Sequence, residues 1–408
     1  MHRVVVTGMG VVCPIGNDIK SFKNGLINGE SGIGQITQFD TTDYNVKIAG
    51  ECSIDLNNFF DSKELKRMDR FTALSLIAAE QAINESNITS NLNQNNKIGV
   101  IFGSGIGGIS TFETQHSNLL RNPRRVSPFF IPSMISDIAA GHISIKYSFK
   151  GPNFSIVSAC ATANHSIGES FKKIKHGDAT AIITGGSDAT ITPMAIAGFS
   201  NMKALSRSNK ENASRPFDQH RDGFVMGEGS GVLVLESLEN AQKRDAKIIA
   251  EIVGYGSSAD AYHLTSPSIN GDGAKEAMNE AISEAKISTG NIDYINAHGT
   301  STPYNDKIET KAIKDLFGDD ANNLSISSTK SMTGHLLGAA GAIESIASII
   351  AINNNFIPPT INYETPDPEC DLDYTPNKSI TKEVNYCISN NFGFGGHNAV
   401  LAFKKYIN

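Results

Sequence analysis

A cysteine lies where the sequence predicts a turn between a buried strand and a helix. Cys160 belongs to the run Ser158–Ala163 (SACATA), between a strand predicted over Phe154–Ala159 and a helix predicted to end near Gly177. Unpaired N–H groups and the dipole at a helix N-terminus favour a thiolate, so such a cysteine can become a nucleophile near neutral pH. A free cysteine is more commonly a small buried apolar residue. On this segment alone, both interpretations stay open.

Two histidines follow predicted strands of the second half of the chain. His298 lies in Asn296–Thr302 (NAHGTST) at the carboxyl end of a strand, where open α/β sheets place their ligand crevices. His335 ends the run Ser328–His335 (STKSMTGH) at another strand-to-helix turn. A histidine at such a position is also compatible with a satisfied core residue.

A lysine and a carboxylate come close in sequence to this second turn. Lys330 lies within it, and Glu344 follows in the predicted helix. A buried ion pair between them requires the turn around Lys330 to fold back. The alternative is a surface lysine with an unrelated carboxylate.

The last of these segments is a loop dense in glycine, Asn391–Asn398 (NFGFGGHN). Its glycines leave Phe394 free to swing, and they expose backbone N–H groups that can bind an oxyanion. An ordinary tight turn is the alternative.

The elements that must position these residues recur in the same order in two halves of the chain. Apolar β-branched runs that end in glycine alternate with helical patterns, which is typical of a mostly parallel sheet buried on both faces. The corresponding runs are Arg3–Gly10 with Ile248–Gly256, Lys97–Gly103 with Ile292–Gly299, and Gly231–Glu236 with Asn398–Phe403. We therefore predict an α/β fold of two duplicated halves, residues 1–245 with the cysteine and 246–408 with the histidines, the lysine and the glycine-rich loop.

Composition narrows the class of protein. The 408 residues are 39% hydrophobic and 19% charged, with 37 glycines, no tryptophan and a net charge of −7. These values favour a soluble globular protein and argue against nucleic-acid binding. The start, MHRVVVTGMGVV, does not resemble a secretory signal, and no apolar stretch approaches the length of a membrane span. We therefore expect a cytoplasmic protein, or one of an organelle matrix if a targeting segment was removed. Five cysteines without CxxC pairs indicate neither a disulfide framework nor a metal site.

Together, in this order and at these spacings, these segments resemble the β-ketoacyl-[acyl carrier protein] (ACP) synthases of the thiolase superfamily, most closely the elongating synthase II type. The similarity runs essentially end to end and includes Val126–Phe130 (VSPFF) and Ser214–Phe224 (SRPFDQHRDGF). It implies a thiolase-like, five-layered αβαβα fold and an obligate homodimer. It also implies decarboxylative Claisen condensation of malonyl-ACP with an enzyme-bound acyl thioester, which extends fatty acyl chains by two carbons.

The resemblance also assigns roles to residues of this chain. Cys160 corresponds to the nucleophile that holds the acyl group, and His298 and His335 to the donors that stabilise the enolate formed by decarboxylation. Lys330 with Glu344 corresponds to the pair that tunes both histidines. The remaining positions implied in the site are Phe394 as gate and, with Cys160, as oxyanion hole, Ile106 against the gate, Phe392 at the substrate, and Thr300 and Thr302 on the phosphopantetheine arm.

The substrate carrier implied by the resemblance is ACP, whose phosphopantetheine brings both acyl groups; no other cofactor is expected. Because ACP is acidic, docking requires local positive charge. The basic residues at the family's docking positions are Lys63, Lys66, Arg67, Arg70, Arg124 and Arg125. A solvated charged face is the alternative for each of them.

Several related functions compete with this interpretation. Chain-initiating synthases use a Cys-His-Asn set and degradative thiolases use two cysteines with one histidine, so the two-histidine set argues against both. A chain-length-factor-like partner lacks the nucleophile, which is present here as Cys160. A stand-alone polyketide or aryl-polyene ketosynthase stays open, as do the preferred acyl length and the division of roles between His298 and His335.

Overall fold

Ten strands join in one hydrogen-bonded sheet within the part of the chain that the computed structural model describes, residues 1–89 and 96–407. The described strands are β1 (Val4–Val12), β2 (Ile33–Gln35), β3 (Ile48–Gly50), β4 (Ile98–Gly103), β5 (Asn153–Phe154), β6 (Ala181–Asp188), β7 (Gly229–Ser237), β8 (Ala250–Ala259), β9 (Tyr294–Asn296), β10 (Ser325–Ser327), β11 (Phe356–Ile357), β12 (Ile380–Thr381), β13 (Tyr386–Gly393) and β14 (His397–Lys404). The described α-helices are α1 (Ile19–Asn28), α2 (Ser62–Leu65), α3 (Arg70–Ser86), α4 (Ile109–Arg121), α5 (Phe130–Met134), α6 (Ile138–Tyr147), α7 (Thr162–His176), α8 (Pro193–Asn201), α9 (Leu238–Lys243), α10 (Asp272–Glu284), α11 (Pro303–Phe317), α12 (Lys330–Thr333) and α13 (Ala340–Asn354).

The strand order confirms two duplicated halves. The main sheet runs β10-β9-β13-β14-β8-β1-β7-β6-β4-β5. From β1 outward the pairings are antiparallel, antiparallel, parallel and parallel, and the same series runs outward from β8. The halves meet where β1 pairs antiparallel with β8, over Val4–Val6.

The prediction of a mostly parallel sheet is wrong, because the inner pairings of each half are antiparallel. In the second half the cause is local: β13 and β14 are joined by the short glycine-rich turn after Gly393, and a connection of that length can join only antiparallel neighbours. The strand predicted over Phe154–Ala159 is also shorter than expected. Only Asn153 and Phe154 pair, as the sheet's edge strand beside β4.

Helices lie in three layers around the two half-sheets, so the five-layered αβαβα arrangement is confirmed. Helices α3 and α6 cover the first half, α10 and α11 cover the second, and α7 packs with α13 between the two halves. One apolar cluster surrounds the central helices and reaches both half-sheets, and two further clusters lie beneath the outer helices of the two halves. The predicted domain boundary near residue 245 stays a prediction; it falls between α9 and β8.

The central layer contains an unusually apolar helix. Leu337–Asn354 is long and apolar enough to cross a membrane, yet 89% of it is buried inside the protein. Because α13 contacts β7 and β13 as well as α7, its apolar surface is covered by protein on several sides. This places it as the central core helix, and its N-terminal end faces the candidate site.

Candidate active site

Cys160 lies in a single 3-10 turn, Ala159–Ala161, directly in front of α7. Ala159 has φ +50, a left-handed conformation that costs energy for a residue with a side chain. The turn is tied to the helix by the Ser158 N–H, which donates to the Thr162 hydroxyl at 2.9 Å. The predicted position of the cysteine at a helix N-terminus is therefore confirmed, on a strained elbow.

The surroundings of Cys160 favour the neutral thiol. Cys160 is 8% exposed and packs in an apolar cluster with Ile191, Phe224 and Leu337. Burial raises the pKa of the Cys160 thiol to about 12, although the positive charge of Lys330 and a hydrogen bond from the Phe394 N–H both lower it. Loss of solvation therefore opposes the helix terminus and favours the neutral thiol in this state, so whether Cys160 reacts as a thiolate stays a prediction. The thiol proton must leave as the sulfur attacks.

His298 follows β9 on a loop that a buried carboxylate holds in place. Both oxygens of Glu309 accept backbone N–H groups at 2.8 Å, one from His298 and one from Gly299. Burial raises the pKa of Glu309 to about 7. The His298 ring lies 5.4 Å from the His335 ring, centroid to centroid, at an interplanar angle of 84°.

His335 is fixed by its own backbone neighbours. Its N–H donates to the Val225 carbonyl at 2.7 Å, and its Nδ1 accepts the Leu337 N–H at 3.2 Å. An imidazole nitrogen that accepts carries no proton, so the proton of neutral His335 resides on Nε2. His335 therefore presents a donor on its Nε2 side.

Lys330 and Glu344 form the ion pair that the sequence left open. The Lys330 Nζ lies 2.5 Å from the Glu344 Oε1, with the two side chains 1% and 3% exposed. Asn391 completes the carboxylate by donating to its other oxygen at 2.6 Å. The turn around Lys330 does fold back, because α12 ends at Gly334 before α13 begins.

Both histidines should be neutral well below pH 7. Burial, followed by the nearby charge of Lys330, places the pKa of His298 and of His335 well below the usual value of a histidine. In protein labelled with ¹⁵N-histidine, we expect two-bond correlation spectra at pH 6.0 to show neutral rings for both, with His335 as the Nε2–H tautomer. Single variants, His298→Ala and His335→Ala, assign the signals. A titration of either ring with a midpoint near 6.5 would contradict this assignment.

The glycine-rich loop lies directly on the nucleophile turn. A methyl group at Gly393 would stand 2.8 Å from the Ser158 carbonyl oxygen and 3.1 Å from the Cys160 nitrogen, so only glycine fits there. The next residue, Phe394, has its N–H close enough to the sulfur of Cys160 to lower the pKa of that thiol. The backbone N–H groups of Cys160 and Phe394 thus lie near one another.

One cavity of about 340 Å³ unites most of the predicted residues. Those lining it are Cys160, His298, Thr300, Thr302, His335, Phe392 and Phe394. The two threonine hydroxyls lie 2.8 Å apart, and the Phe392 ring is 5.7 Å from that of His298. Ile106 does not line this cavity. It lies on the loop after β4 and is 36% exposed.

The predicted docking residues form two neighbouring groups on the surface. Lys63, Lys66 and Arg67 are exposed at α2, and Arg124 and Arg125 are exposed in the turn before α5. The guanidinium of Arg67 lies 4.8 Å from the ring of Phe129, which joins the two groups.

Arg70 differs from the other predicted docking residues. Its guanidinium donates to both oxygens of the fully buried Glu228, at 2.8 and 2.6 Å. It therefore neutralises a buried carboxylate of this chain. We therefore leave Arg70 out of the docking surface.

Sequence reasoning missed several buried polar residues of the site. Glu309, Asn391 and Asp188 each hold a backbone or side chain beside a predicted site residue. Only Glu309 offers a sequence signal, since it is a carboxylate in the helix that follows the His298 loop. The others act on segments distant in sequence.

Comparisons with known proteins show the family to which the chain belongs. A model described as "Beta-ketoacyl synthase, N-terminal domain" matches residues 1–241, and one described as "Beta-ketoacyl synthase, C-terminal domain" matches residues 249–364. The chain is 53% identical over 407 residues to the 3-oxoacyl-[acyl-carrier-protein] synthase 2 of Staphylococcus aureus (strain COL), covering 99% of this chain and 98% of that relative. It is 50% identical over 408 residues to the protein of the same name from Synechocystis sp., covering 99% and 98%.

A solved structure adds a comparison of the fold. It is described as a type II PKS acyl-carrier protein in complex with its ketosynthase bound to the hexaketide, and it matches with a TM-score of 0.93 and 34% identity over 100% of both chains.

Proposed function

The chain belongs to the beta-ketoacyl synthase family, and on that premise we propose which of its residues carry out the reaction. It is an acyltransferase of fatty acid synthesis, an elongating 3-oxoacyl-ACP synthase. The observation that carries the assignment of residues is the shared cavity of Cys160, His298 and His335, with the charge of Lys330 acting on all three.

In the first half-reaction Cys160 attacks the thioester of acyl-ACP. The carbonyl oxygen becomes an oxyanion, which the N–H groups of Cys160 and Phe394 stabilise. Because Phe394 lines the same cavity and its N–H lies near the sulfur, that N–H is close to the carbonyl under attack. The pantetheine sulfur leaves with the proton that the Cys160 thiol gives up, and the acyl group remains on Cys160.

In the second half-reaction malonyl-ACP loses carbon dioxide, and the electron pair of the broken bond forms an enolate on the thioester. Neutral His335 donates its Nε2–H to the enolate oxygen, and His298 supports the same charge. The enolate carbon attacks the acyl carbonyl and displaces the thiolate of Cys160. The product is a 3-oxoacyl-ACP two carbons longer.

Burial is the main reason that both histidines are neutral, and the charge of Lys330 adds to it. Because Lys330 carries positive charge beside both rings, protonating either ring is unfavourable, so each keeps one proton to donate. Glu344 balances that lysine at 2.5 Å.

The carrier reaches this cavity through its flexible arm. We assign Thr300 and Thr302 to the phosphopantetheine, since their hydroxyls line the cavity beside His298. The solved ketosynthase bound to its acyl carrier protein supports an ACP partner for this chain. We further propose that the enzyme is a cytoplasmic homodimer.

Mass spectrometry of the intact protein tests the function. After incubation with acyl-ACP, the wild-type chain should gain the acyl mass, and malonyl-ACP should discharge it as a product two carbons longer. If no adduct forms with any acyl length, the proposed roles fail. If the adduct is discharged only into chains that are extended repeatedly without reduction, the stand-alone polyketide alternative is favoured. The sequence identities argue against that alternative, since identity is 53% to the 3-oxoacyl-[acyl-carrier-protein] synthase 2 and 34% to the polyketide ketosynthase.

Charge reversal tests the docking surface formed by Lys63, Lys66, Arg67, Arg124 and Arg125. The Lys66→Glu/Arg124→Glu variant should raise the KM for acyl-ACP about tenfold with little change in kcat, because these charges contribute to encounter with an acidic carrier. The effect should shrink as salt is added. Lys20→Glu/Lys243→Glu, with the same change in net charge at exposed sites elsewhere, is the control. Equal KM values for the two variants would argue against this surface.

A further inference from the structure

Asp188, at the end of β6, is a buried carboxylate that the proposed mechanism does not use. It is fully buried and accepts four hydrogen bonds. The donors are the Ser104 hydroxyl at 2.7 Å, the Gly105 N–H at 3.0 Å, the Ile106 N–H at 3.2 Å and the Gly338 N–H at 2.6 Å. Burial raises the pKa of Asp188 to about 6, so the group is an anion at neutral pH. Three backbone N–H groups would lose their acceptor without it.

These donors come from both halves of the fold. Ser104, Gly105 and Ile106 follow β4 in the first half, and Gly338 precedes α13 in the second. The contact is very close: a methyl group at Gly338 would lie 2.4 Å from the Gly105 nitrogen and 2.6 Å from the Asp188 Oδ2. The carboxylate of Asp188 therefore joins two segments that are distant in the chain, since Gly338 lies 232 residues after Ile106.

Each segment touches a different part of the site. On one side, a methyl group at Gly105 would stand 3.4 Å from the carbonyl oxygen of Ala159, the strained residue before the nucleophile. On the other side, Gly338 follows Leu337, whose N–H fixes the Nδ1 of His335. Leu337 itself has φ +49, a conformation that must be held by its surroundings.

We propose that Asp188 is a positioning residue that locks the turn of Cys160 and the turn that orients His335 to one another. It touches neither reacting group and acts through the Ser104–Gly107 loop and the Leu337–Gly338 peptide. The condensation step requires the acylated sulfur and the His335 donor at a fixed separation, and this junction sets it. The inference rests on the proposed function of those two residues.

The variant that tests it is Asp188→Asn, which keeps the shape of the side chain. The NH₂ group of asparagine cannot accept a hydrogen bond, so the donors that face it lose their acceptor. We expect the acyl adduct on Cys160 to reach full stoichiometry, while its discharge by malonyl-ACP slows at least about tenfold per adduct. The discharge rate is divided by the amount of acylated protein, so misfolded molecules that form no adduct are not counted. If Asp188 served only the fold, the variant would contain such molecules but its rate per adduct would be unchanged. The ¹⁵N-histidine spectrum should show His335 as a mixture of tautomers in place of the single Nε2–H form.

Two further variants make the test decisive. Asp293→Asn is the matched control, since Asp293 also accepts two backbone N–H groups, from Asn385 and Tyr386, but at the opposite end of β9 from His298; its discharge rate per adduct should equal wild type. Ser104→Ala removes the hydroxyl that donates to Asp188 and accepts the Gly107 N–H at 2.9 Å, but it leaves the three backbone donors to Asp188 in place. It should therefore slow discharge by a smaller factor and leave the His335 tautomer unchanged. It also supplies the test if Asp188→Asn does not fold.

The outcomes separate this inference from the proposed function. Wild-type discharge rates and an unchanged His335 tautomer in Asp188→Asn would overturn the inference, as would an equal slowing in Asp293→Asn. For Ser104→Ala alone, a discharge rate equal to wild type would overturn it. If wild type itself forms no adduct, the proposed function fails, whereas the tautomer of His335 still reports whether Asp188 holds that turn.

Discussion

The Cys160→Ala variant should form no acyl adduct and should lose condensation by at least about four orders of magnitude. No other group can replace the sulfur, because a thioester needs a soft nucleophile that is also a good leaving group. The measurement is the mass of the intact protein after incubation with acyl-ACP, followed by the rate of 3-oxoacyl-ACP formation. The fold should survive, since alanine is smaller and Cys160 makes its packing contacts in an apolar cluster.

Cys387→Ala is the matched control for this variant. Cys387 is also a free, fully buried cysteine, but it lies in β13 within the central apolar cluster and outside the cavity. It should retain a full adduct and the wild-type rate. An adduct on Cys160→Ala, or loss of the adduct in Cys387→Ala, would show that the nucleophile has been assigned to the wrong residue.

The Lys330→Met variant should lose about 3–5 kcal/mol of folding free energy and most of its condensation activity. Removing the lysine leaves the carboxylate of Glu344 buried without a counter-charge, and burial already raises the pKa of that carboxyl. Chemical denaturation measures the first effect. Lys314→Met, which breaks an exposed pair with Asp371, should have a much smaller effect on stability.

A double variant separates stability from catalysis. Lys330→Met/Glu344→Leu removes both buried charges, so most of the lost folding free energy should return. Activity should not return, because the positive charge that Lys330 places beside Cys160, His298 and His335 is gone. Recovery of activity together with stability would show that the pair serves only the fold.

How much of the site could be predicted depended on where its residues lie in the chain. Cys160, His298 and His335 each follow a strand, and the carboxyl ends of strands are recognisable from local pattern. From the sequence, a buried Lys330–Glu344 ion pair was one of two possibilities, the other being a surface lysine. Which one forms depends on the break between α12 and α13, which local pattern does not give. The family resemblance supplied the roles that the pattern alone left open.

The errors have physical causes as well. Alternation of strands and helices indicated parallel pairing, yet the central strands β7 and β14 run antiparallel to their neighbours, and strand direction leaves no trace in local composition. The helix terminus that favours a thiolate is visible in local pattern, whereas the burial that raises the pKa of Cys160 comes from tertiary packing. Asp188 was missed because its donors are as much as 150 residues away.

The seam between the halves has a consequence for how the chain folds. β1 pairs with β7 on one side and β8 on the other, and Val4 lies opposite Ser237 and Ile252. The first strand can therefore be paired on both sides only after residue 252 has been synthesised. Closing so long a loop gives high contact order, which slows folding. During synthesis, more than half of the chain must emerge from the ribosome before the first strand is flanked. Helix α7, which follows the nucleophile, packs on β6 and β4 of its own half, but its face toward α13 stays uncovered until the second half docks. Because His298 and His335 also belong to the second half, we expect catalytic competence to be acquired last.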